Sequence, residues 1–170
     1  VEDPDLNTGN YIINLAVSNA ALDSVNTRFY YGSSDGSTAI TTGGDHLWVG
    51  DDENQTLRLF QMNQSTTPLK AIDFNDDLGS TAEIDIEGSI RYGNELYWMG
   101  SLASAERSVV FKATETGMGA EADLLYGGVY RDLRSDLLAW DANGDHGLGN
   151  AFFGLSLGFE VEGLAADPNN

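Results

Sequence analysis

The stretch AEIDIEGSIRYGNELYWMG (residues 82–100) decides the fold, because it contains two short strands joined by a turn. Asp85 and Glu87 lie two residues apart among β-branched residues, so in a strand both side chains point to one face. YGNE (residues 92–95) supplies the turn that connects two antiparallel strands. A strand with acids along one face is unusual, and the rest of the chain repeats the pattern.

The strands recur in copies: the first two are separated by about 50 residues, and a third opens about 75 residues after the second because a segment is inserted between them. Aligning the copies places Trp48 on Trp98 and Gly50 on Gly100. The copies are DGSTAITTGGDHLWVGDDENQTLRLF (35–60), DIEGSIRYGNELYWMGSLASAERSVVF (85–111) and the opening FEVEGLAADPNN (159–170). A repeat of this length with four short strands is typical of a β-propeller blade.

We therefore predict an all-β fold, a partial β-propeller of four-stranded blades, present as a fragment, with one short helical insertion. A β-sandwich whose strands merely resemble each other is the alternative. A blade cannot bury both sheet faces alone, and closed propellers have roughly four to eight blades, so we expect the missing blades in cis from a longer chain. The predicted segments are an N-terminal strand and linker region (1–34), blades at about 35–73 and 84–126, an insertion at about 127–150 with a helix at 129–140, and a third blade opening at 159–170.

Charge is the strongest feature of the composition. The chain has 27 Asp and Glu residues against 8 Lys and Arg residues, a net charge of -19. Nucleic acid is excluded as a partner because phosphate binding needs a basic face. No apolar run is long enough for a membrane span, and the absence of cysteine excludes disulfides and thiolate metal sites. We expect a small molecule or protein partner at the propeller rim and an extracellular or periplasmic location, although no signal peptide is visible.

Several of these motifs together resemble a known family. They are DGSTA (35–39), LWVGDDENQTLRLF (47–60), EIDIEGSIRYGNELYWMGS (83–101) and FEVEGLAADP (159–168). As a set they resemble the bacterial β-propellers of domain-of-unknown-function family 3616 and, more distantly, the esterase-like phytase propellers. The resemblance implies a propeller with an aligned acidic rim and implies no settled activity.

The repeated acids at the strand starts are the first candidate site: Asp35, Asp85, Glu87 and Glu162. The first strand of each blade lines a propeller's channel, so matching positions would form a ring of carboxylates. Clustered carboxylates raise each other's pKa values or bind a hard cation, for which calcium is the candidate. For Glu87 and Glu162 singly, the alternative is a structural role of accepting backbone N–H groups, with Gly88 and Gly163 allowing close approach.

Two further acidic segments could carry chemistry. In DDEN (51–54) we expect Asp51 to be a solvated turn residue, whereas Asp52 and Glu53 could bind a metal or act as acid and base. The second copy has no acid at these places, so the repeat itself does not require them. Asp141, Asn143 and Asp145 in DANGD have the opening spacing of a calcium loop, as does DFNDD (73–77), but neither completes the pattern.

These features favour a ligand-binding or scaffold module with an acidic channel rim. One alternative is a calcium-dependent phosphoesterase resembling the phytase propellers, with Glu87, Asp52 and Glu53 as catalytic candidates. A phosphate would also need cationic contacts, for which the chain offers few residues, Arg58, Arg91, Arg107, Arg131 and Arg134; Arg91 and Arg131 would support it best if they face the acidic rim. Another alternative is a calcium-dependent adhesion or assembly module. No organic cofactor is indicated, because no phosphate-binding loop has the required strand-to-helix setting.

Overall fold

The computed structural model describes residues 28–147, 161 and 163–165. The strands within these residues form two antiparallel sheets of four, each in chain order, β1-β2-β3-β4 and β5-β6-β7-β8. The elements are β1 (Gly36–Thr41), β2 (His46–Asp51), β3 (Asn54–Gln61), β4 (Lys70–Asp73), α1 (Asn75–Leu78), β5 (Ile86–Tyr92), β6 (Glu95–Gly100), β7 (Val110–Thr116), a 3-10 turn (Gly119–Glu121), β8 (Asp123–Tyr130) and α2 (Leu133–Trp140). The predicted all-β class and the two four-stranded units are confirmed.

The predicted helix at 129–140 is wrong at its start. Val129 belongs to β8, where it pairs with Phe111, and the helix begins at Leu133. Val129, at the end of β8, lies by coincidence at a helical spacing from Leu133, at the start of the helix, so the sequence pattern joined the two elements into one helix. Trp140, at the other end of this spacing, is 64% exposed and stacks on His146 instead of packing into the core. No described helix is long and apolar enough to cross a membrane.

The two sheets pack face against face, and cross-strand pairs assign each side chain to a face. On the first sheet, Gly50 has no room for a side chain because Ile86 and Trp98 of the second sheet lie against it. We call this side of the first sheet its front; it includes the row Ile40, Trp48 and Leu59, all of which are buried. The side of the second sheet that meets it, its back, includes the buried row Trp98 and Phe111.

Polar contacts lock the two faces together. The Thr38 and Ser89 hydroxyls lie 2.6 Å apart across the junction. The indole N–H of Trp48 donates to Glu115 at 3.0 Å, and Arg91 forms an ion pair with the same carboxylate at 2.7 Å. A buried carboxylate is stable only when its oxygens are paired, so Glu115 fixes the position of β2 relative to β7.

The structure corrects the sequence alignment of the copies. Each first strand carries a β-bulge at the same register: Thr38 pairs with Gly50 in β1–β2, and Gly88 pairs with Met99 in β5–β6. The first strands are therefore offset by 50 residues and the second strands by 49, because the β5–β6 turn is one residue shorter than the β1–β2 turn.

A one-residue offset reverses the face of every side chain in a strand. Trp48 corresponds to Tyr97, and not to Trp98 as the alignment predicted; Gly50 corresponds to Met99. Trp48 lies on the front of the first sheet and Trp98 lies on the back of the second sheet. The two indoles therefore enter the junction between the sheets from opposite sides. Equivalent sheets thus stack front to back, in the same direction, which differs from the front-to-front relation of a two-fold sandwich.

The paired state of Glu115 gives a test of this junction. Burial works to raise the pKa of Glu115, but the ion pair with Arg91 and the hydrogen bond from Trp48 outweigh it and hold the pKa below its usual 4.5. Glu115→Gln should therefore lower the free energy of unfolding at pH 7 by about 1.5–3 kcal/mol, measured by urea denaturation.

The pH dependence has a definite sign. Because the folded pKa is depressed, the stabilisation is complete above pH 4.5 and disappears as the pH falls through the folded pKa. The parent and Glu115→Gln should converge in acid. Glu121→Gln, at an exposed position, is the control and should match the parent at both pH values. Equal stability of parent and Glu115→Gln at pH 7 would contradict this role.

Candidate functional site

The acidic turn after β2 is organised by Asp51, which is fully buried. Its carboxylate accepts hydrogen bonds from the Ser33 hydroxyl at 2.6 Å, the Ser34 amide at 2.9 Å and the Glu53 amide at 3.1 Å. Arg58 lies 3.5 Å from the same carboxylate. The expectation that Asp51 is a solvated turn residue is therefore wrong: it is the internal anchor that connects the turn to the segment before β1.

Next to this anchor, three carboxylates from the two sheets come together. One oxygen each from Asp52, Asp85 and Glu87 lies within 4.8 Å of the other two. Asp52 follows β2 of the first sheet, whereas Asp85 and Glu87 stand at the start of β5 in the second. We call these three residues the junction triad. It combines residues that the sequence assigned to two separate candidate sites.

Asp85 is held in place by backbone and side-chain constraints. Its φ of 61° is left-handed, a conformation that Asp tolerates better than most non-glycine residues but that still costs about 1 kcal/mol or more. Arg107 donates to its carboxylate at 2.6 Å and to Glu83 at 2.5 Å. From the sequence, Arg107 was only one of several arginines that a phosphate could contact, and Glu83 was missed.

Glu87 reaches the triad because of the bulge in β5. The register jumps between Ile86, which pairs with Gly100, and Gly88, which pairs with Met99, so Glu87 is the extra residue. Such residues leave the regular alternation of a strand, and bulges commonly re-aim a side chain. The two-residue spacing of Asp85 and Glu87 therefore does not act through a shared strand face, as the sequence predicted. A left-handed residue and a bulge bring them together instead.

The electrostatics of Asp52 differ from those of its neighbour. Burial and the negative charges of Asp35, Glu53, Asp51 and Asp85 together raise the pKa of Asp52 above its usual value. One of its carboxylate oxygens is buried and accepts no hydrogen bond from the described residues. Because protein interiors pair nearly all buried polar atoms, this oxygen has capacity for a cation or a water molecule.

The other predicted rim acids lie around the triad or outside the described residues. Asp35 is exposed, and its carbonyl accepts the Asp52 amide at 3.1 Å, so it adjoins the triad without belonging to it. Glu53 is exposed at the turn. Glu162 lies outside the described residues, and so does most of the predicted third blade. The bulge register supports the correspondence of Asp35 with Asp85, whereas the place of Glu87 is taken by Ser37 in the first sheet.

The two calcium-like loops use their first aspartates for local hydrogen bonds. Asp73 accepts the Asn75 amide at 2.8 Å and precedes α1. Asp141 is buried and accepts the His146 amide at 2.8 Å, which closes the loop, while Asn143 and Asp145 are exposed. The Asp73 contact is that of an Asx turn, whereas the Asp141 contact spans five residues and closes the longer loop around Asn143 and Asp145.

The arginines that a phosphate site would need are placed elsewhere. Arg91 contacts Glu115 and the carbonyl of Thr41, and Arg131 donates to the carbonyl of Leu78. Arg91 thereby contributes to the packing of the two sheets, whereas Arg131 is exposed and binds the end of α1. Arg107 is the cation at the triad, and Asp85 and Glu83 engage it.

Replacing Asp51 and replacing Asp52 with asparagine should change the stability of the fold in opposite directions. Burial works to raise the pKa of Asp51, but its hydrogen bonds from Ser33, Ser34 and Glu53 lower the pKa below 3.8, so its charge stabilises the fold. Asp51→Asn should lower the free energy of unfolding at pH 7 by about 1.5–3 kcal/mol. Asp52→Asn should raise the melting temperature in the absence of metal, because its raised pKa means that the fold disfavours the charge.

Calorimetry at two pH values checks the signs. A depressed folded pKa gives stabilisation that is lost as the pH falls through it, whereas a raised folded pKa gives a penalty that is absent below the unfolded pKa, grows above it and is complete above the folded pKa. Both differences from the parent should therefore be present at pH 7; that of Asp52→Asn should disappear below pH 3.8, and that of Asp51→Asn should shrink as the pH falls from 3.8 through the lowered pKa of the folded protein. A shift in the same direction for the two variants at pH 7 would contradict the assignment.

Comparison with known proteins confirms the resemblance to family 3616 that was drawn from the sequence, but not the more distant one to the phytase propellers. The family described as "Protein of unknown function (DUF3616)" matches residues 36–121, which span β1 to the 3-10 turn and include the whole junction triad. No curated protein matches the chain significantly. The chain belongs to the DUF3616 family of proteins of unknown function.

Proposed function

We propose that this chain is a divalent-cation-binding module and that the junction triad of Asp52, Asp85 and Glu87 is its site. The observation that carries the proposal is the convergence of three carboxylate oxygens within 4.8 Å from two different sheets. Three negative charges at such distances repel one another unless a cation or a proton compensates them. Arg107 compensates the charge of Asp85 and is shared with Glu83.

Calcium fits the triad better than other common metals. All three ligands are carboxylate oxygens, and hard oxygen ligands favour calcium or magnesium over zinc or copper. Magnesium requires near-octahedral geometry and keeps most of its water, whereas calcium accepts irregular sets of carboxylates and carbonyls. A site assembled from a turn, a left-handed residue and a bulge is irregular, and this favours calcium.

The proposal includes a propeller-like arrangement of the sheets. The front-to-back stacking of equivalent sheets supports it, since such stacking can continue through further repeats, whereas a two-fold sandwich ends after two sheets. Thr38 of β1 contacts Ser89 of β5, so the first strands of the two units are neighbours, as the strands around a propeller axis are. In this arrangement the triad lies where two adjacent blades meet near the axis.

The phosphoesterase alternative has less support. Of the arginines that would best support it, Arg91 pairs with Glu115 and Arg131 donates to the carbonyl of Leu78. The adhesion alternative depended partly on the two calcium-like loops, whose first aspartates serve their own turns. Cation binding at the junction triad, at a rim that holds a further ligand or partner, needs neither these arginines nor these loop aspartates.

Calcium titration tests the proposal. Calcium should raise the melting temperature of the parent relative to a chelator, with a Kd of about 10⁻⁵–10⁻³ M by isothermal calorimetry. At 100 times Kd the stabilisation should approach about 2.7 kcal/mol. Asp52→Asn and Glu87→Gln should each abolish most of this gain, because each removes one of the three charged ligands.

The controls separate the site from the overall charge. Glu121→Gln removes an exposed carboxylate far along the chain and should leave the calcium response unchanged. Magnesium should produce a smaller shift than calcium at equal concentration. A melting temperature that is the same in calcium and in chelator, or equal responses of the parent and Asp52→Asn, would refute the proposal.

A further inference from the structure

The front of the second sheet carries a surface that the two-sheet unit leaves uncovered. Cross-strand pairing assigns to it the rows Ile90–Tyr97–Lys112 and Met99–Val110–Tyr130. These positions correspond to the front of the first sheet, which the second sheet buries. Between Val110, Lys112 and Tyr130 lies an open, mainly apolar groove of about 280 Å³.

A described piece of the third repeat already lies on this surface. The Val161 amide donates to the carbonyl of Ser101 at 2.8 Å. A Cβ built on Gly88 would meet the backbone nitrogen of Leu164 at 3.0 Å and the carbonyl carbon of Gly163 at 3.1 Å. Met99, on the same row as Gly88, is 2% exposed although it lies on the side turned away from the first sheet.

This contact repeats the step between the first two sheets. The bulge register makes Gly88 the equivalent of Thr38. The match between VEGLA (161–165) and IEGSI (86–90) makes Leu164 the equivalent of Ser89. Thr38 meets Ser89 across the first junction, and Gly88 meets Leu164 across the second. The same pair of positions therefore joins successive units twice.

We propose that the front of the second sheet is the docking surface for a third four-stranded sheet of the same repeat, whose first strand passes through residues 161 and 163–165. This inference rests on the front-to-back stacking proposed above. The partner is defined chemically as a sheet whose back carries large apolar side chains, as Leu96, Trp98 and Phe111 do on the second sheet. The groove beside Val110 and Tyr130 then receives its later strands.

Continuity with the established junction selects this occupant. Gly163 and Leu164 lie next to β5 at Gly88, as β5 lies next to β1 where Ser89 meets Thr38. A second copy of the chain docking its first sheet here would have to place its β1 where Gly163 and Leu164 already lie against Gly88. The open groove and the contacted Gly88 belong to one surface, so one sheet can cover both.

Two glycine substitutions test the docking. Gly88→Ala places a methyl group against a backbone that cannot move away cheaply, so the melting temperature should fall by about 3–8 °C. Gly163→Ala is the matched control, because a Cβ there meets no atom of the described residues within 4 Å. Neither glycine has a positive φ, so both substitutions restrict the unfolded chain similarly.

Hydrogen exchange of the Val161 amide separates docking from a local effect on β5. The amide should be protected in the parent and in Gly163→Ala, and it should exchange at least tenfold faster in Gly88→Ala. Exchange of this amide at the free-peptide rate in the parent, or an unchanged melting temperature in Gly88→Ala, would overturn the inference. Either result would leave calcium binding by the junction triad unaffected, since Asp52, Asp85 and Glu87 lie at the first junction.

Discussion

The packing of the first sheet's front on the second sheet's back is the constraint on which the other features depend. Each sheet alone would expose one apolar face, and the two faces bury Trp48 and Trp98 against each other's sheet. Glu115 fixes the lateral position of this contact by binding Trp48 and Arg91. Because the position is fixed, the turn after β2 stands beside the start of β5, and the junction triad forms there.

The junction triad thus exists because the two sheets stack on each other, and neither sheet could form it alone. Asp52 comes from one unit and Asp85 and Glu87 come from the next, so no single repeat contains a triad. Irregular backbone is concentrated at the same place: a left-handed Asp85, a bulge at Glu87 and a turn organised by Asp51. Such irregularity is commonly retained at binding sites, where it aims side chains that regular strands would separate.

Much of this could be predicted from the sequence. Alternating apolar residues and turn residues located all eight described strands, and the acids that form the triad were all among the candidates. The pairing of Trp48 with Trp98 was wrong because one residue fewer in a turn reverses the faces of the strand that follows, and sequence similarity does not reveal this. The buried role of Asp51 depends on Ser33 and Ser34, which precede the repeat. Arg107 could not be assigned to the triad from the sequence, because Glu83 and Asp85, with which it forms ion pairs, lie in the segment before β5.

A disulfide measurement tests the front-to-back stacking most directly, and the absence of cysteine from the chain makes it clean. The Thr38 and Ser89 hydroxyls are 2.6 Å apart, so Thr38→Cys with Ser89→Cys should form a disulfide under mild oxidation, detected by intact mass. Ala39→Cys with Ser89→Cys is the control, because Ala39 lies on the opposite face of the first sheet. Rapid closure of the first pair and not of the second is the predicted result. Closure of the Ala39 pair, or failure of the Thr38 pair in a folded protein, would contradict the stacking.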